Sequence, residues 1–315
     1  MRVAIQGALG SYSECAAKTL VDDPYIVPCK DYPELFDAIA RGRADCMVIP
    51  MENSTAGSVY PYYDLLLEHA TRHNFRITKE LKLIIRHNLI GHPDAKFGDI
   101  TEVRSHPQAL EQCIGFIRKN KFEANPRYDT AGAVDEMMQR SLKHVAAIAS
   151  VQAAKDHGWT ILRRNIQDQH EDNTTRFVVI RPESAGGPDQ VLTKAKRVKV
   201  SLAFCIENVP GSLYRTLAPF GAHSDVSIIR IESRPLVGTK TSWRNLVQQH
   251  KGKEDKGIWD LVYYLDFSCP GAKVDGVLKK LEGLVLKNKT ERAIQVFGRY
   301  LPENTRVDGT KKPWR

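Results

Sequence analysis

The chain is 315 residues long, 42% hydrophobic and 26% charged, with a formal net charge of +9. That length leaves room for two domains, and the composition is typical of a soluble globular protein. With no apolar run of membrane-spanning length and no basic stripe interleaved with aromatics, the sequence speaks against membrane and nucleic-acid partners and suits a small anionic substrate.

Strand-like and helix-like stretches alternate in the first half. Val3–Gln6 predicts a short strand, Gly7–Gly10 a turn and Ser11–Leu20 a helix. Because MRVAIQ alternates and breaks at Gly7, it reads as a strand and not as a signal peptide. Tyr32–Arg41 has helical spacing and stops at Gly42, and Cys46–Pro50 suits a buried parallel strand. Helix Val59–His69, strands Ile77–Ile85 and Ile100–Ser105, and helix Pro107–Arg118 follow. Helix Thr130–Gln139, strand Val145–Ala149, helix Val151–His157 and strand Phe177–Ile180 complete an α/β region with mostly parallel sheets.

Glu183–Lys196 is polar and contains Gly, Pro and Ser, which predicts a linker. Beyond it come strand Val198–Cys205, helix Gly211–Phe220, strands Val226–Ser233 and Ile258–Phe267, helix Val274–Leu284 and strand Ala293–Phe297. That βαββαβ order predicts a ferredoxin-like module. Leu236–Gly257, polar and lysine-rich, is expected to be a surface insertion. Cys15, Cys29, Cys46, Cys113, Cys205 and Cys269 form no C-x-x-C pair, so reduced thiols in a cytoplasmic protein are expected.

Several strand-to-helix turns are rich in hydrogen-bonding groups. Gly7–Glu14 places glycines before a helix start, where backbone N–H groups receive anions; the same residues also fit an N-cap by Ser11 with Glu14 completing a capping box. Pro50–Val59 follows the apolar strand at its carboxyl end, the end where open α/β sheets bind ligands, though Asn53 or Ser54 also suits a cap. Ser105-His106-Pro107-Gln108 and Asp129–Ala133 repeat that geometry, and together the turns point to one shared cleft. In Asn173–Phe177, strand alternation sends Thr175 and Phe177 to one face and Thr174 and Arg176 to the other. A strand bridging two lobes reconciles those faces. The histidines show no metal-ligand spacing and no nucleophile elbow is present.

Six segments, in order, resemble prephenate dehydratases with a C-terminal ACT regulatory domain, over nearly the whole chain. They are Gly7–Glu14, Pro50–Val59 (P-x-E-N-S-x-x-G), Ser105–Cys113 (SHPQALEQC), Asp129–Ala133, Thr175-Arg176-Phe177 and Glu232-Ser233-Arg234-Pro235. With no chorismate mutase segment before the first motif, the resemblance is to the monofunctional form. It implies a two-lobed, periplasmic-binding-protein-like α/β catalytic domain over 1–182 and a linker over 183–196. An α+β ferredoxin-like ACT domain over 197–302, with an insertion near 236–257, and a basic tail over 303–315 complete the expectation.

The implied reaction is loss of CO2 and water from prephenate to give phenylpyruvate, in phenylalanine biosynthesis, with no cofactor and no metal. The implied catalytic residue is Thr175, and the implied substrate-binding residues are Ser11, Glu52, Asn53, Ser54, Gly57, Ser105, His106, Gln108, Arg176 and Phe177. A threonine hydroxyl is too weak an acid to give up its proton fully, so its expected role is to hydrogen-bond the departing oxygen. Arg176 or helix-start N–H groups are expected to hold the pyruvyl carboxylate, unless Arg176 is structural. The effector phenylalanine would lie against Gly211, Ser212, Leu213, Glu232, Ser233, Arg234 and Pro235, in a homodimer or homotetramer. Two departures stand out: Gly7-Ala8-Leu9-Gly10-Ser11 replaces the family's Gly-Pro-x-Gly-Thr, and Gly211-Ser212-Leu213 replaces Gly-Ala-Leu. Arogenate dehydratase and a non-catalytic amino-acid sensor are the alternatives.

Overall fold

The computed structural model describes the chain apart from residues 8, 128–141, 157, 169–172, 184–189, 223, 237–242, 250–259, 289–290, 304–305 and 308–315. It divides into two compact units, one of Met1–Val59, Leu81–Val178 and Asn304–Arg315, the other of Tyr60–Glu80 and Val179–Glu303. The predicted helix Thr130–Gln139 and the Asp129–Ala133 turn lie outside the described residues.

The first unit contains two sheets. Strand β1 (Arg2–Gln6), helix α1 (Tyr12–Leu20), β2 (Tyr25–Cys29), α2 (Tyr32–Ala40), β3 (Cys46–Asn53) and β4 (Gly57–Ser58) begin the first lobe. Helix α3 (Tyr60–His73) follows and belongs to the second unit; the division then falls within β5 (Phe75–Ile84). The second lobe comprises β6 (Asn88–Gly91), β7 (Glu102–Ser105), α4 (Pro107–Glu111), α5 (Ile114–Asn120), β8 (Glu123–Pro126), β9 (Val145–Ala149), α6 (Val151–Asp156) and β10 (Thr160–Arg163). Strand β11 (Thr174–Pro182) then returns to the first sheet, whose order runs from Arg306–Val307 through β5, β11, β3 and β1 to β2. The second sheet is ordered β10-β6-β9-β7-β8, parallel where β7 meets β8 and β9, and antiparallel around β6.

Cys46, Met47, Val48 and Ile49 of β3 are fully buried, with Ala16 and Ala17 of α1 and Leu35 and Phe36 of α2 also inaccessible. Burying each of the larger apolar side chains contributes about 1.5–3 kcal/mol. Asp31 caps α2 by accepting the Glu34 N–H at 3.0 Å, and Pro33 in the first turn costs no helical hydrogen bond. Strand β2 escapes the sequence reading because it carries Pro28, which is tolerated since β2 lies at a sheet edge. The helix expected over Pro107–Arg118 is two helices. The break at Cys113 (φ −117°, ψ 16°) falls where its thiol joins Leu110 and Ile117 in the second lobe's core.

In the second unit come α7 (Gln190–Lys194), inside the expected linker, then β12 (Val198–Phe204), α8 (Ser212–Gly221) and β13 (Ser227–Pro235). Helix α9 (Trp243–Gln249), β14 (Leu261–Cys269), α10 (Val274–Glu282) and β15 (Ile294–Tyr300) complete it. The sheet is antiparallel with order β13-β14-β12-β15, the ferredoxin-like arrangement. On one face Val200, Leu202, Phe204 and Phe267 cluster with Phe220 of α8 and Val277, Leu278 and Leu281 of α10. On the other, Tyr264 meets α3 through the Tyr63 ring at 5.3 Å and Asp64 at 2.9 Å. Leu236–Gly257 was expected at the surface, but Leu236, Trp243, Leu246 and Val247 are buried. The last three have i, i+3, i+4 spacing, so one face of α9 turns inward while the surrounding polar residues mask that pattern in the sequence.

Candidate active site

Strand β3 ends at Asn53, whose side chain organises the turn after it. Its Oδ1 accepts the backbone N–H groups of Thr55 and Ala56, both at 3.0 Å, as Asx turns do. Those two donors fix the amide's orientation. The Asn53 Nδ2 must then donate, and it faces Asn173 Oδ1 at 2.7 Å and Thr175 Oγ1 at 2.9 Å. Asn173 Nδ2 in turn donates to Gln112 Oε1 at 3.0 Å, and Gln112 Nε2 donates to Thr55 Oγ1 at 3.0 Å. The Thr55 hydroxyl closes the circuit by donating to Asn53 Oδ1 at 2.7 Å. The result is a four-residue ring, Asn53–Asn173–Gln112–Thr55, with every hydrogen bond running in one sense. It draws on the first lobe, the second lobe and the return crossing into β11.

Thr175 hangs on this ring as an acceptor. Its hydroxyl proton is therefore directed away from Asn53, and Asn53 is its one hydrogen-bond partner among the described residues. Beside the ring, His87 Nε2 lies 2.8 Å from Gln112 Oε1. Since that oxygen only accepts, His87 donates from Nε2. Burial holds the imidazole below its ordinary pKa, which favours the neutral form. Tyr12 packs edge-on against it, with ring centroids 5.8 Å apart, and donates its hydroxyl to the Arg86 carbonyl at 2.7 Å. Burial raises the Tyr12 phenol well above its usual range.

The remaining expected residues are placed as follows. Ser11 caps α1, accepting the Glu14 N–H at 3.3 Å, while the Glu14 carboxylate accepts the Gly10 N–H. Gly10 has φ +85°, and a Cβ there would meet Ala153 Cα at 2.9 Å, so the turn presses against α6 of the other lobe. Ser150 stitches the same approach, donating to the Gly10 carbonyl at 2.7 Å. Ser54 and Thr174 pair reciprocally: Ser54 Oγ accepts the Thr174 N–H, and the Thr174 carbonyl accepts the Ser54 N–H, both at 2.9 Å. Gly57, at φ +80°, lets the chain reverse into β4. The Glu52 carboxylate lies 3.5 Å from the buried Arg176 guanidinium, on the strand face opposite Thr175. Phe177 is buried in the β11 core. Ser105 is fully buried and donates to the Ile148 carbonyl at 2.6 Å, away from the ring. His106 caps α4, its Nδ1 accepting the Gln108 N–H at 3.2 Å, and both side chains are exposed.

Thus Asn53 and Thr175 meet directly and Ser54 adjoins them through Thr174, while the hydrogen bonds of Ser105 and His106 described above go to Ile148 and Gln108, outside the ring. Sequence reasoning missed Thr55, His87, Gln112, Ser150 and Asn173 as site residues. Gln112 stands one turn beyond Gln108 in SHPQALEQC, a spacing that put it in view.

In the second unit, Gly211 (φ +77°) caps α8, followed by Ser212 and Leu213. Glu232–Pro235 ends β13, an edge strand. Arg234 pairs with Asp64 at 3.0 Å and lies 4.4 Å over the Tyr60 ring, while Arg230 sits 4.2 Å over Tyr63 and pairs with Glu232. Burial holds the Asp64 carboxyl above its ordinary value, opposed by Arg234 and Tyr264. Ser233 and Pro235 are exposed.

Two α/β lobes meeting at an amide-lined turn, with a ferredoxin-like unit following in the chain, define the class. Comparison with known proteins narrows it: residues 3–185 match the family model for prephenate dehydratase, and the chain belongs to that family. It is 37% identical over 272 residues to arogenate dehydratase/prephenate dehydratase 2, chloroplastic, of Arabidopsis thaliana, covering 85% of this chain and 65% of that protein. The chain thus spans between about half and two-thirds of the length of the plant relatives it matches. It is 34% identical to prephenate dehydratase of Methanocaldococcus jannaschii, over 87% of this chain and 90% of that one. Among solved structures, one described as GqqA, a novel type of quorum quenching acylase, has TM-score 0.77 at 25% identity, covering 96% of this chain and 99% of that one. Prephenate dehydratase from Arthrobacter aurescens in complex with L-Phe has TM-score 0.76 at 22% identity, covering 96% and 90%. Among the described residues, no helix is long and apolar enough to cross a membrane.

Proposed function

We propose that this protein is a prephenate dehydratase that converts prephenate to phenylpyruvate, CO2 and water. The observation that carries the reading is the orientation of Thr175: with Asn53 Nδ2 fixed as a donor to its oxygen, the hydroxyl keeps its proton for another acceptor. In this reaction that acceptor is the departing ring hydroxyl. Aromatisation drives both losses, so the protein's task is to hold the ring and to stabilise charge developing on the leaving oxygen. Arg176 is already engaged by Glu52, so its role in this reading is to set the β11 strand; backbone N–H groups at the helix starts are left to bind carboxylate.

Feedback control by phenylalanine through the second unit, read as an ACT domain, belongs to this proposal. Its supports are the ferredoxin-like topology, the Glu232–Pro235 motif and the L-Phe complex of the Arthrobacter protein. So does assembly into a homodimer or homotetramer, and so does a cytoplasmic setting, which suits the six free cysteines. Arogenate is the second substrate reading, favoured by the plant relatives' names. An acylase reading gains nothing from the site, because among the described residues no carboxylate or imidazole hydrogen-bonds the Thr175 hydroxyl to activate it.

The test is phenylpyruvate formation from prephenate, run beside arogenate and repeated with phenylalanine. Turnover of prephenate suppressed by phenylalanine is the expected result. Preference for arogenate would move the assignment to arogenate dehydratase. No turnover of either by folded protein would favour an amino-acid sensor.

A further inference from the structure

We propose that His87 is a positioning residue for the dehydration, acting through Gln112; this rests on the reading of Thr175 given above. Gln112 has the longest side chain in the ring, and its backbone is held away from the ring, by the Gln108 carbonyl and the Asp168 N–H. Asn53 is pinned by two backbone N–H groups, Thr55 donates one of them, and the Asn173 carbonyl accepts the Ile85 N–H at 2.8 Å. Among the described residues, the Gln112 side chain, half-buried and carried by the other lobe, hydrogen-bonds Asn173, Thr55 and His87. Without the imidazole, its amide turns toward water and the ring opens between Asn173 and Thr55.

His87 is built to prevent that. It lies in the short crossing from β5 to β6, and its side chain is sealed, at 3% exposure. Its backbone N–H donates to Gln167 Oε1 at 3.0 Å, and its carbonyl accepts the Ile166 N–H at 2.9 Å. The two crossings between the lobes are thereby bonded to each other beside the ring. The sense of the ring sets the imidazole's chemistry as well. Gln112 Oε1 already accepts from Asn173 Nδ2, so the neutral imidazole fits only as the Nε2–H tautomer. Its bare Nδ1 faces the Tyr12 oxygen at 3.4 Å, whose proton is committed to Arg86. One backbone-pinned asparagine therefore dictates, through Asn173 and Gln112, which nitrogen of a buried histidine carries hydrogen. The same chain of bonds, read the other way, squares the Asn53 amide on Thr175.

The experiment uses the full chain with His87→Leu, His87→Gln, Gln112→Ala and the His87→Leu/Gln112→Ala double variant. With prephenate, His87→Leu is expected to lower kcat about tenfold, the size of one well-placed hydrogen bond, with KM little changed. His87→Gln, whose amide nitrogen reaches the Nε2 position, restores most of that loss. The double variant is no slower than Gln112→Ala alone, because both changes break one link. A histidine that merely fills space would lose as much with Gln as with Leu, and its loss would multiply in the double variant; either result overturns the proposal. Nitrogen-15 spectra of histidine-labelled wild-type protein supply a readout independent of turnover: Nε2–H is expected for His87, and Nδ1–H would overturn the proposal. A wild-type protein inactive on both prephenate and arogenate would overturn the functional reading and the dehydration role with it. That failure is distinguishable from failure of His87 alone, in which the wild type turns over and the variants do not discriminate.

Discussion

Each unit buries a polar network, and the two are built from opposite materials. In the first unit the members are neutral: three amides, threonine hydroxyls and an imidazole whose burial disfavours charge. In the second they are ions. Lys199 on the interior strand β12 meets Glu80 at 2.8 Å with their side chains 4% and 1% exposed, and Glu80 also accepts the Glu303 N–H at 3.1 Å. Asp64 likewise stands between Arg234 and the Tyr264 hydroxyl. A neutral amide ring gains little from any single bond, but each bond dictates the direction of the next, so it carries information about where protons point. A buried ion pair carries no such direction; it ties two elements together at a high desolvation cost and is severely damaged by losing one partner.

The largest effect should come from the ionic side. Lys199→Met leaves Glu80 charged and buried, and a loss of about 3–5 kcal/mol is expected in denaturant unfolding. A loss under about 1 kcal/mol would place the pair in the class of exposed bridges and blur the contrast between the units. The neutral side should respond in the opposite way, through rate and not through stability. Thr175→Ala should reduce prephenate turnover about a hundredfold, as removal of an oxyanion-type donor does. Its stability should shift by only about 1 kcal/mol, since Asn53 Nδ2 retains Asn173 as a partner. Near-normal turnover in that variant would remove Thr175 from the reaction.

The smallest effect is one of pH, and its sign follows from His87. Its folded-state pKa lies below the ordinary imidazole value because of burial, so below that value the unfolded chain takes up a proton that the folded chain refuses. Stability is therefore fully present above the unfolded imidazole pKa and declines as pH falls toward the depressed folded value. His87→Gln should flatten that part of the profile when unfolding midpoints are compared from neutral to mildly acidic solution. Identical slopes in variant and wild type would mean that the imidazole titrates freely.

What the sequence disclosed and concealed follows the same division. The turns after β1, β3 and β7 are legible because glycines, caps and polar residues crowd together at strand ends; Asn53 stands at one of them, and Thr175 where a polar cluster runs into β11. His87 is not legible in that way, and Gln112 only through its place in SHPQALEQC, because their side-chain partners lie 25 to 75 positions distant. Only the crossings between the lobes bring them together. Ser105 teaches the converse, since a serine in a well-marked turn spends its hydroxyl on the Ile148 carbonyl of the neighbouring strand. Helix α3 is readable as a helix, yet its place under β13–β15 depends on Tyr63, Asp64 and Tyr264 meeting across 200 residues of sequence, which no local pattern announces.

Gly10 carries a consequence for how this protein can vary. Its missing side chain is the clearance between the first lobe's turn and Ala153 of the second, and the Ser150 hydroxyl is tied across the same gap. A single methyl group added there would act as a wedge, not a local blemish, because it meets the Cα and Cβ of Ala153, which have no rotatable bond to swing aside on. The tolerance of the lobe-to-lobe fit is thus set at one carbon atom. Neighbouring Leu9 is exposed at the same turn and bears no such limit, so adjacent positions in one loop face entirely different freedom to change.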